Sequence, residues 1–383
     1  MRASLIMAGV ISATSGAATT AVGQGAGIPP HEREVAQVVG RWIERTPSGP
    51  AAMPRGSEDA AMIYDPIRDR VIVHGGKDDA NLYTNETWAF DSDARVWEKL
   101  KTAGPTPPAS EDHSTIYDPI GHRLILYGGE HGPTTNKLWS LDLKTLTWRD
   151  MTTPDAPRRE SHSAVYDSRR KRMIIFGGFD RTQVDLHDVW AMDLDPSSPS
   201  FEQWQDLTVA EGRPPGRIDH SAVYDPGKDR LVFHGGWTKA RKAVLGDTWA
   251  FSFADSQDRK ARWSKMEAAS GGPSPRRHAV GVHDPEHNVY VMFGGQTGPA
   301  FLNDVWAFDL SRDIWLEVSV SDPKPQPRID HQAAYDSRTH SIVVYGGDAG
   351  VPHRKLHDVW ALTLEQAAGF GSVRPQTQAA IAR

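Results

Sequence analysis

The stretch that decides the fold is Arg217-Ile-Asp-His-Ser-Ala-Val-Tyr-Asp-Pro-Gly-Lys-Asp-Arg-Leu-Val-Phe-His-Gly-Gly236. It holds two short apolar runs separated by a polar turn, a pattern that predicts two paired strands. The double glycine that closes it occurs six times, at Gly75-Gly76, Gly128-Gly129, Gly177-Gly178, Gly235-Gly236, Gly294-Gly295 and Gly346-Gly347. A self-similar unit of about 50 residues indicates one repeat architecture rather than several independent domains.

Each repeat continues with two tryptophan-containing runs that predict a third and a fourth strand. The third-strand tryptophans are Trp88, Trp139, Trp190, Trp249, Trp306 and Trp360. The fourth-strand tryptophans are Trp42, Trp97, Trp148, Trp204, Trp263 and Trp315. Large flat side chains at one register fill the wedge between neighbouring sheets, so we interpret them as core. The pattern predicts an all-β fold: a six-bladed β-propeller with four antiparallel strands per blade.

The two ends of the repeat region are complementary. Arg41-Trp42-Ile43-Glu44 matches the fourth-strand pattern but precedes any first strand. The sixth repeat stops after its third strand, Val359 to Leu364. We therefore expect residues 40–45 to form the N-terminal strand that completes the last blade, which closes the ring and removes two exposed strand edges.

The N-terminus fits a secretory signal peptide. Arg2 is followed by a short apolar run, Leu5 to Ile11, and by small residues that place a cleavage site before Gln24. Because the apolar run is too short to span a bilayer, we predict a secreted or periplasmic protein with no membrane insertion of the mature chain. The predicted domains are a signal peptide at 1–23, a linker at 24–39, the propeller at 40–364 and a flexible C-terminal tail at 365–383.

Composition excludes several classes of function. The net charge of −6 argues against nucleic acid as a partner. Cysteine is absent, which excludes disulfides, thiolate catalysis and cysteine-ligated metals. The double glycines are not followed by Gly-Lys-Ser/Thr, so we expect them to serve backbone geometry rather than phosphate binding. We predict a monomer with no cofactor and no metal.

The recurring motifs carry a family resemblance. With Pro-Arg-x-x-His, Tyr-Asp-x-x-x-x-Arg, Gly-Gly, Asp-Val-Trp and Trp-x-x-apolar repeated over residues 40–364, the chain resembles a kelch-repeat propeller. The resemblance implies first strands that line a central channel. It implies no single reaction, because kelch propellers include partner-binding modules, sugar epimerases or mutarotases, glucosinolate-breakdown specifiers and copper radical oxidases. The oxidase cysteine and the specifier motif Glu-x3-Asp-x3-His are both absent.

Polar residues recur at the entry to the first strands, where we expect them to surround the channel mouth. The arginines are Arg55, Arg158, Arg217, Arg276 and Arg328; the acids are Asp59, Asp112, Asp219 and Asp330, with Ser161 and His278 in the other two repeats. Histidines follow at His113, His162, His220 and His331. In one interpretation these groups hold the ring, through Arg–Asp pairs and histidine hydrogen bonds to neighbouring backbone.

In the other interpretation the same arginines form a cup that binds carboxylates, because planar guanidinium groups bind carboxylates bidentately. Resemblance to adaptor-type kelch proteins implies acidic-peptide binding at Arg158, Arg217, Arg276 and Arg328, where Pro-Arg or Pro-Gly-Arg matches. Neighbouring aspartates dilute the positive charge of such a cup.

Departures from the repeat mark further candidates. Trp237 is the one tryptophan outside both series, and it directly follows Gly235-Gly236. Tyr83 lies in the matching loop of the first repeat, and Phe179 follows the double glycine of the third. An exposed aromatic side chain beside polar groups is suited to stack on a sugar or a partner side chain; packing of each loop on its own anchor is the alternative.

We therefore predict a binding module for a protein or carbohydrate ligand, held on the loop face around the channel mouth. The alternative is a sugar-active epimerase or mutarotase that uses the Asp, His and Arg side chains of the mouth as acid and base. Catalysis needs a unique acid–base pair, so asymmetry at the first and fifth repeats, which lack the histidine, would favour the enzyme.

Overall fold

The computed structural model describes residues 38–48, 52–55, 58–130, 134–180, 185–254, 260–267, 271–350 and 354–365. The predicted signal peptide, all but the last two residues of the predicted linker and all but the first residue of the predicted tail lie outside the described residues. Within the described part of the chain, every regular element is a strand.

The described strands follow one another in repeating groups. The chain enters with β1 (Val38–Glu44). Unit one contains β2 (Ala61–Asp65), β3 (Arg70–His74), β4 (Thr87–Asp91) and β5 (Val96–Lys99). Unit two contains β6 (Glu111–Asp118), β7 (Arg123–Glu130), β8 (Leu138–Asp142) and β9 (Thr147–Asp150). Unit three contains β10 (Ser163–Asp167), β11 (Arg172–Phe176), β12 (Val189–Asp193) and β13 (Trp204–Asp206).

Units four and five each carry an extra two-stranded hairpin after the double glycine. Unit four contains β14 (Ser221–Asp225), β15 (Arg230–His234), the hairpin β16 (Trp237–Thr238) and β17 (Ala243–Val244), then β18 (Thr248–Ser252) and β19 (Arg262–Met266). Unit five contains β20 (Val280–Asp284), β21 (Val289–Phe293), the hairpin β22 (Gln296–Thr297) and β23 (Ala300–Phe301), then β24 (Val305–Asp309) and β25 (Ile314–Val320). Unit six contains β26 (Gln332–Asp336), β27 (Ser341–Tyr345) and β28 (Val359–Glu365).

The strands of each unit pair in sequence order and antiparallel, as the repeat pattern predicts. In unit four, for example, Val223 of β14 pairs with Val232 of β15, which pairs with Ala250 of β18. The first strands β2, β6, β10, β14, β20 and β26 contact one another in that order, and β26 contacts β2. This closed circle of first strands lines a central channel, and the prediction of an all-β propeller of four-stranded antiparallel units is confirmed.

Strand β1 supplies the fourth strand of unit six. It pairs antiparallel with β28, from Val39 opposite Glu365 to Glu44 opposite Trp360. It begins at Val38, two residues earlier than predicted, because Val38 to Gly40 also pair in parallel with the end of β25. That second pairing was not predicted; it arises because β25 is seven residues long and extends beyond the usual fourth strand. Units five and six thus share one eight-stranded sheet.

The tryptophans pack between units, as predicted. Trp148 is 1% exposed, and Trp97 lies 4.8 Å, centroid to centroid, from Tyr345 of the neighbouring unit six. Several third-strand indoles also donate a hydrogen bond to the acid two residues earlier, as from Trp249 to Asp247 at 2.7 Å. The double glycine has the backbone role expected: a Cβ on Gly235, whose φ is +71°, would lie 2.4 Å from the Arg276 carbonyl oxygen.

Candidate functional site

The arginines that precede the first strands are buried in the protein. Arg217 is 0% exposed; its Nη1 donates to the Gly235 carbonyl at 2.8 Å and to Asp247 Oδ1 at 2.8 Å, and its Nη2 donates to Asp247 Oδ2 at 3.2 Å. Arg276 and Arg328 make the same set of bonds, to Asp304 and Asp358 respectively. The carboxylate-cup interpretation is therefore wrong for these three arginines, because an aspartate of their own unit already occupies each guanidinium.

In unit three the arginine at the buried position of the series is Arg159 rather than Arg158, whose predicted part in ligand binding stays a prediction. Arg159 is 0% exposed and donates to both oxygens of Asp188 and to the Gly177 carbonyl. Arg158 is exposed and takes no part in this arrangement. The spacing to the histidine could have identified Arg159 from the sequence. Arg217 lies three residues before His220, and Arg159 lies three residues before His162.

The predicted acids do meet at the channel mouth. One residue per unit forms what we call the mouth ring: Asp59, Asp112, Ser161, Asp219, His278 and Asp330. All six have positive φ, between 51° and 56°. Backbone hydrogen bonds link successive members, as from the Ser161 N–H to the Asp112 carbonyl at 3.0 Å and from the Asp219 N–H to the Ser161 carbonyl at 3.1 Å. The ring borders a cavity of about 220 Å³.

His278 lies between two aspartates of the mouth ring. Its Nδ1 is 2.5 Å from Asp330 Oδ1, and its Nε2 is 3.3 Å from Asp219 Oδ2. Burial lowers the pKa of His278, but the two aspartates overcome this and raise the pKa to about 9. The imidazolium thus neutralises two carboxylates of neighbouring units, which is a structural role that depends on its charge.

For the other two acids of the mouth ring, Asp59 and Asp112, burial and neighbouring carboxylates dominate the pKa. Burial, followed by the nearby carboxylates of Asp219, Glu111 and Asp330, raises the pKa of Asp112 to about 8. Burial and the carboxylates of Asp330 and Asp112 raise the pKa of Asp59 well above its usual value. The ring therefore holds protons that the unfolded chain would release near pH 4.

This arrangement predicts a stability that falls with rising pH. As the pH rises from about 4 to about 8, the unfolded state releases the Asp112 proton while the folded state keeps it, so wild type loses stability. His278 acts in the same direction, since its contribution is complete below about pH 6.5 and is lost as the pH rises through about 9. An Asp112→Asn variant keeps a side chain that tolerates positive φ but cannot ionise.

We expect Asp112→Asn to be more stable than wild type at about pH 8.5 and to lose most of this advantage at about pH 5. Urea unfolding at the two pH values measures the difference. The exposed Glu317→Gln is the matched control, with no pH-dependent difference expected. An Asp112→Asn advantage of equal size at both pH values would contradict the assignment.

One group of mouth carboxylates has the spacing of metal ligands. Oxygens of Glu58, Asp59 and Asp330 lie within 4.8 Å of one another. Divalent cations such as Ca²⁺ take carboxylate oxygens. Glu58 is already paired with Lys355, and acids alone do not identify an ion, so we assign no metal to this group.

The histidines directly before β10 and β14, His162 and His220, make hydrogen bonds to serine side chains and not the backbone hydrogen bonds predicted. His162 Nε2 lies 2.7 Å from Ser114 Oγ, and His220 Nε2 lies 2.8 Å from Ser163 Oγ, each serine belonging to the preceding unit. The ring of His162 also packs against Gly128, where an added Cβ would lie 2.8 Å from its Cε1. These contacts join neighbouring units, as in the interpretation that the recurring polar residues hold the ring together.

A large open cleft lies beside Trp237, between units three and four. Its volume is about 1310 Å³, and its apolar walls include Phe179, Trp237, Pro214 and Pro215. Trp237 is only partly buried. We call this the Trp237 cleft. It lies on the face that carries the mouth ring, because Trp237 and Ile218 exchange backbone hydrogen bonds of 2.9 and 3.0 Å beside Asp219.

The loop that carries Trp237 is held rigidly at its base. Trp237 and Thr238 pair with Val244 and Ala243 in the hairpin of β16 and β17. Asp185 of unit three, which is 5% exposed, accepts hydrogen bonds from Thr238 Oγ1 at 3.1 Å and from the Lys239 N–H. A side chain buried between two units thus fixes the hairpin, and Trp237 is presented to the cleft from a defined backbone.

Tyr83 does not share this site. It lies in the loop of unit one, where its hydroxyl donates to Glu130 of unit two at 3.3 Å and Lys77 Nζ lies 5.2 Å from its ring centroid. Its part in ligand binding stays a prediction. The cationic residues of the Trp237 cleft, Arg213, Lys239, Arg241 and Lys242, were missed, because they lie in variable loops between the repeated motifs.

Comparison with known proteins gives a consistent picture. The family model described as the KLHDC2/KLHL20/DRC7 Kelch-repeats domain matches residues 38–200, 119–312 and 198–377. Kelch domain-containing protein 3 of Bos taurus is 27% identical over 274 residues, which cover 68% of this chain and 68% of that protein. No helix among the described residues is long and apolar enough to cross a membrane.

Two other relatives share only part of their length with this chain. Acyl-CoA-binding domain-containing protein 4 of Arabidopsis thaliana is 25% identical over 262 residues, covering 66% of this chain and 37% of the relative. The flagellar outer-arm dynein alpha chain of Chlamydomonas reinhardtii is 31% identical over 197 residues, covering 48% of this chain and 4% of the relative. Such different proteins share the repeat, so the match identifies an architecture and not a ligand.

Proposed function

The chain belongs to the kelch-repeat family, and on that premise we propose that it is a propeller module that binds a protein partner through its loop face. The proposed location is secreted or periplasmic, from the signal peptide expected at residues 1–23, and the proposed state is monomeric. The Trp237 cleft is the observation that carries the proposal, because it joins an aromatic side chain, a large concave surface and a rigid base.

A carbohydrate ligand is the second candidate, supported by one feature of the same cleft. Asp185 Oδ1 is buried without a hydrogen-bond partner among the described residues, and a sugar hydroxyl donates such a bond readily. We favour the protein partner because apolar side chains form a large part of the wall of the described cleft. The size of the cleft, about 1310 Å³, also exceeds what one or two sugar rings fill.

The epimerase or mutarotase alternative draws less support. Asymmetry does occur at units one and five, where Asp59 lies beside Glu58 and His278 bridges two aspartates. However, three of the arginines, Arg217, Arg276 and Arg328, are paired with aspartates of their own units. His278 is held by Asp219 and Asp330. The mouth ring thus supplies side chains that are already engaged with one another, whereas an acid and a base for a sugar must be free to act at its ring atoms.

The test is partner binding by a Trp237→Ala variant. The mature chain, residues 24–383, captures its partner from the secreted or periplasmic fraction of its own organism, and the affinity of the identified partner is then measured. Truncation of a central aromatic anchor costs about 2 kcal/mol or more, so we expect affinity to fall more than tenfold with unchanged thermal stability.

Ile120→Ala is the matched control. Ile120 is an exposed apolar side chain, 47% accessible, in the turn that joins β6 and β7 of unit two, and it does not line the Trp237 cleft. Its loss should leave the affinity unchanged. If Trp237→Ala binds as tightly as wild type, the partner binds elsewhere and the proposed site is wrong.

A further inference from the structure

We propose that the Trp237 cleft takes an acidic segment of its partner, with an apolar or aromatic side chain of that segment seated on Trp237. This inference rests on the proposed function, since it specifies the chemistry of the partner at the same cleft. It differs from binding at the pre-strand arginines, which are buried and paired.

The cleft has an excess of positive charge, whereas the whole protein is negatively charged. Four cationic and two acidic side chains line it, although the chain as a whole has a net charge of −6. Arg213, Arg241 and Lys242 are exposed, and none of them takes part in an ion pair or a side-chain hydrogen bond within the described part of the structure. Elsewhere in the same part, arginines such as Arg170 and Arg230 are paired with aspartates.

Within the described residues, the two acids of the cleft make no ion pair with Arg213, Arg241 or Lys242. Asp185 is committed to the hairpin, where it accepts from Thr238 and from the Lys239 backbone. Glu160 is buried and accepts from Thr134 Oγ1 at 2.8 Å. The positive charge of the exposed arginines and lysine is therefore available to a ligand, and a ligand with carboxylates satisfies it.

The apolar wall defines the second feature of the partner. Lys239 Nζ lies 3.0 Å from the centroid of Phe179, so the face of Phe179 is covered by a cation. Trp237, in contrast, makes no contact with an aromatic ring or a cation within the described residues, and its side chain is partly exposed to the cleft. Pro214 and Pro215 face the same space. An acidic segment that lacks an apolar side chain would leave this surface unfilled.

The experiment is selection of peptides from a random dodecapeptide phage library on the immobilised mature chain. Wild type is expected to enrich acidic peptides that contain an aromatic or leucine side chain. Affinities of synthetic copies are then measured for wild type, for Arg241→Glu combined with Lys242→Glu, and for Trp237→Ala. The double charge reversal is expected to weaken binding about 30-fold or more, and salt at about 0.5 M to weaken wild-type binding about tenfold.

The control is Arg262→Glu combined with Lys265→Glu. It makes the same change in net charge on exposed positions of β19 in the same unit, outside the cleft, and should alter affinity less than about threefold. Melting temperatures of all variants show that each is folded. Equal losses in the two double variants would reduce the effect to long-range charge and overturn the inference.

The remaining outcomes separate the inference from the proposed function. Selected peptides that depend on Trp237 but are neutral or basic overturn the acidic partner and keep the binding site. Acidic peptides that bind Trp237→Ala and the charge-reversed variant as tightly as wild type overturn both. A library from which nothing is enriched counts against the acidic segment, while capture of the natural partner still tests the site.

Discussion

An Arg159→Ala variant is expected to have a free energy of unfolding about 3 kcal/mol lower than that of wild type. Arg159 is 0% exposed and donates to the Gly177 carbonyl at 2.9 Å and to both oxygens of Asp188 at 3.2 and 2.9 Å. Its removal leaves a carboxylate and a backbone carbonyl without their main donor. This loss is at the lower end of the range for breaking a buried ion pair, about 3–5 kcal/mol. Asp188 is 26% exposed and still accepts a hydrogen bond from the Trp190 indole.

Arg158→Ala is the matched control for this prediction. The two arginines are adjacent, and the same atoms are removed, but Arg158 is exposed. Its loss should change stability by less than about 0.5 kcal/mol. Urea unfolding of both variants gives the comparison; a larger loss for Arg158→Ala than for Arg159→Ala would show that the buried pair has been placed at the wrong residue.

Removal of β1, in a chain that begins at Arg45, is expected to abolish the cooperative unfolding transition of the intact ring. β1 bridges β28 and β25 through backbone hydrogen bonds, and its removal leaves two strand edges unpaired. It also removes Trp42, which is 3% exposed and packs 4.9 Å, centroid to centroid, from Phe293. Calorimetry of wild type and the truncated chain measures the effect.

The single substitution Trp42→Ala keeps the backbone of β1 and separates packing from pairing. Loss of a buried tryptophan in a packed core costs about 3–5 kcal/mol. Arg41→Ala, one residue away and exposed, is the control and should be close to neutral. A truncated chain that melts at the wild-type temperature would refute closure of the ring by β1.

The architecture was predictable because the same pattern of four strands recurs in successive repeats of the sequence. The tryptophan positions, the double glycine and the incomplete last repeat led to four-stranded antiparallel units and to a closing strand at residues 40–45, where the structure has β1 from Val38 to Glu44. The parallel pairing of Val38–Gly40 with β25 was not predictable, because it depends on the length of one strand in another unit. Nothing in the pattern around Trp42 indicates which neighbour lies on its second edge.

The site was harder to predict because its residues come from different units. The recurrence of Pro-Arg before the first strands indicated importance but not the partner, and the partner is an aspartate about 30 residues later in the same unit. His278 of unit five contacts Asp219 of unit four and Asp330 of unit six, the two units on either side of it. The order of the repeats in the sequence does not show which side chains meet across those boundaries. Trp237 was identified because it departs from the repeat, whereas Arg213 and Arg241 lie in loops without any motif.

The repeated arginines hold the propeller together, and we propose that the non-repeated residues beside Trp237 bind the partner. The most direct measurement is the partner affinity of an Arg328→Ala variant, whose guanidinium pairs with Asp358 in unit six, away from the cleft. Arg328→Lys is measured beside it in case the alanine variant does not fold. We predict that the Arg328 variant has a lower melting temperature and an affinity within about twofold of wild type. Trp237→Ala is expected to keep the wild-type melting temperature and to lose affinity. An Arg328 variant that is folded, as stable as wild type and unable to bind the partner would show that Arg328 belongs to the binding site and not to the scaffold.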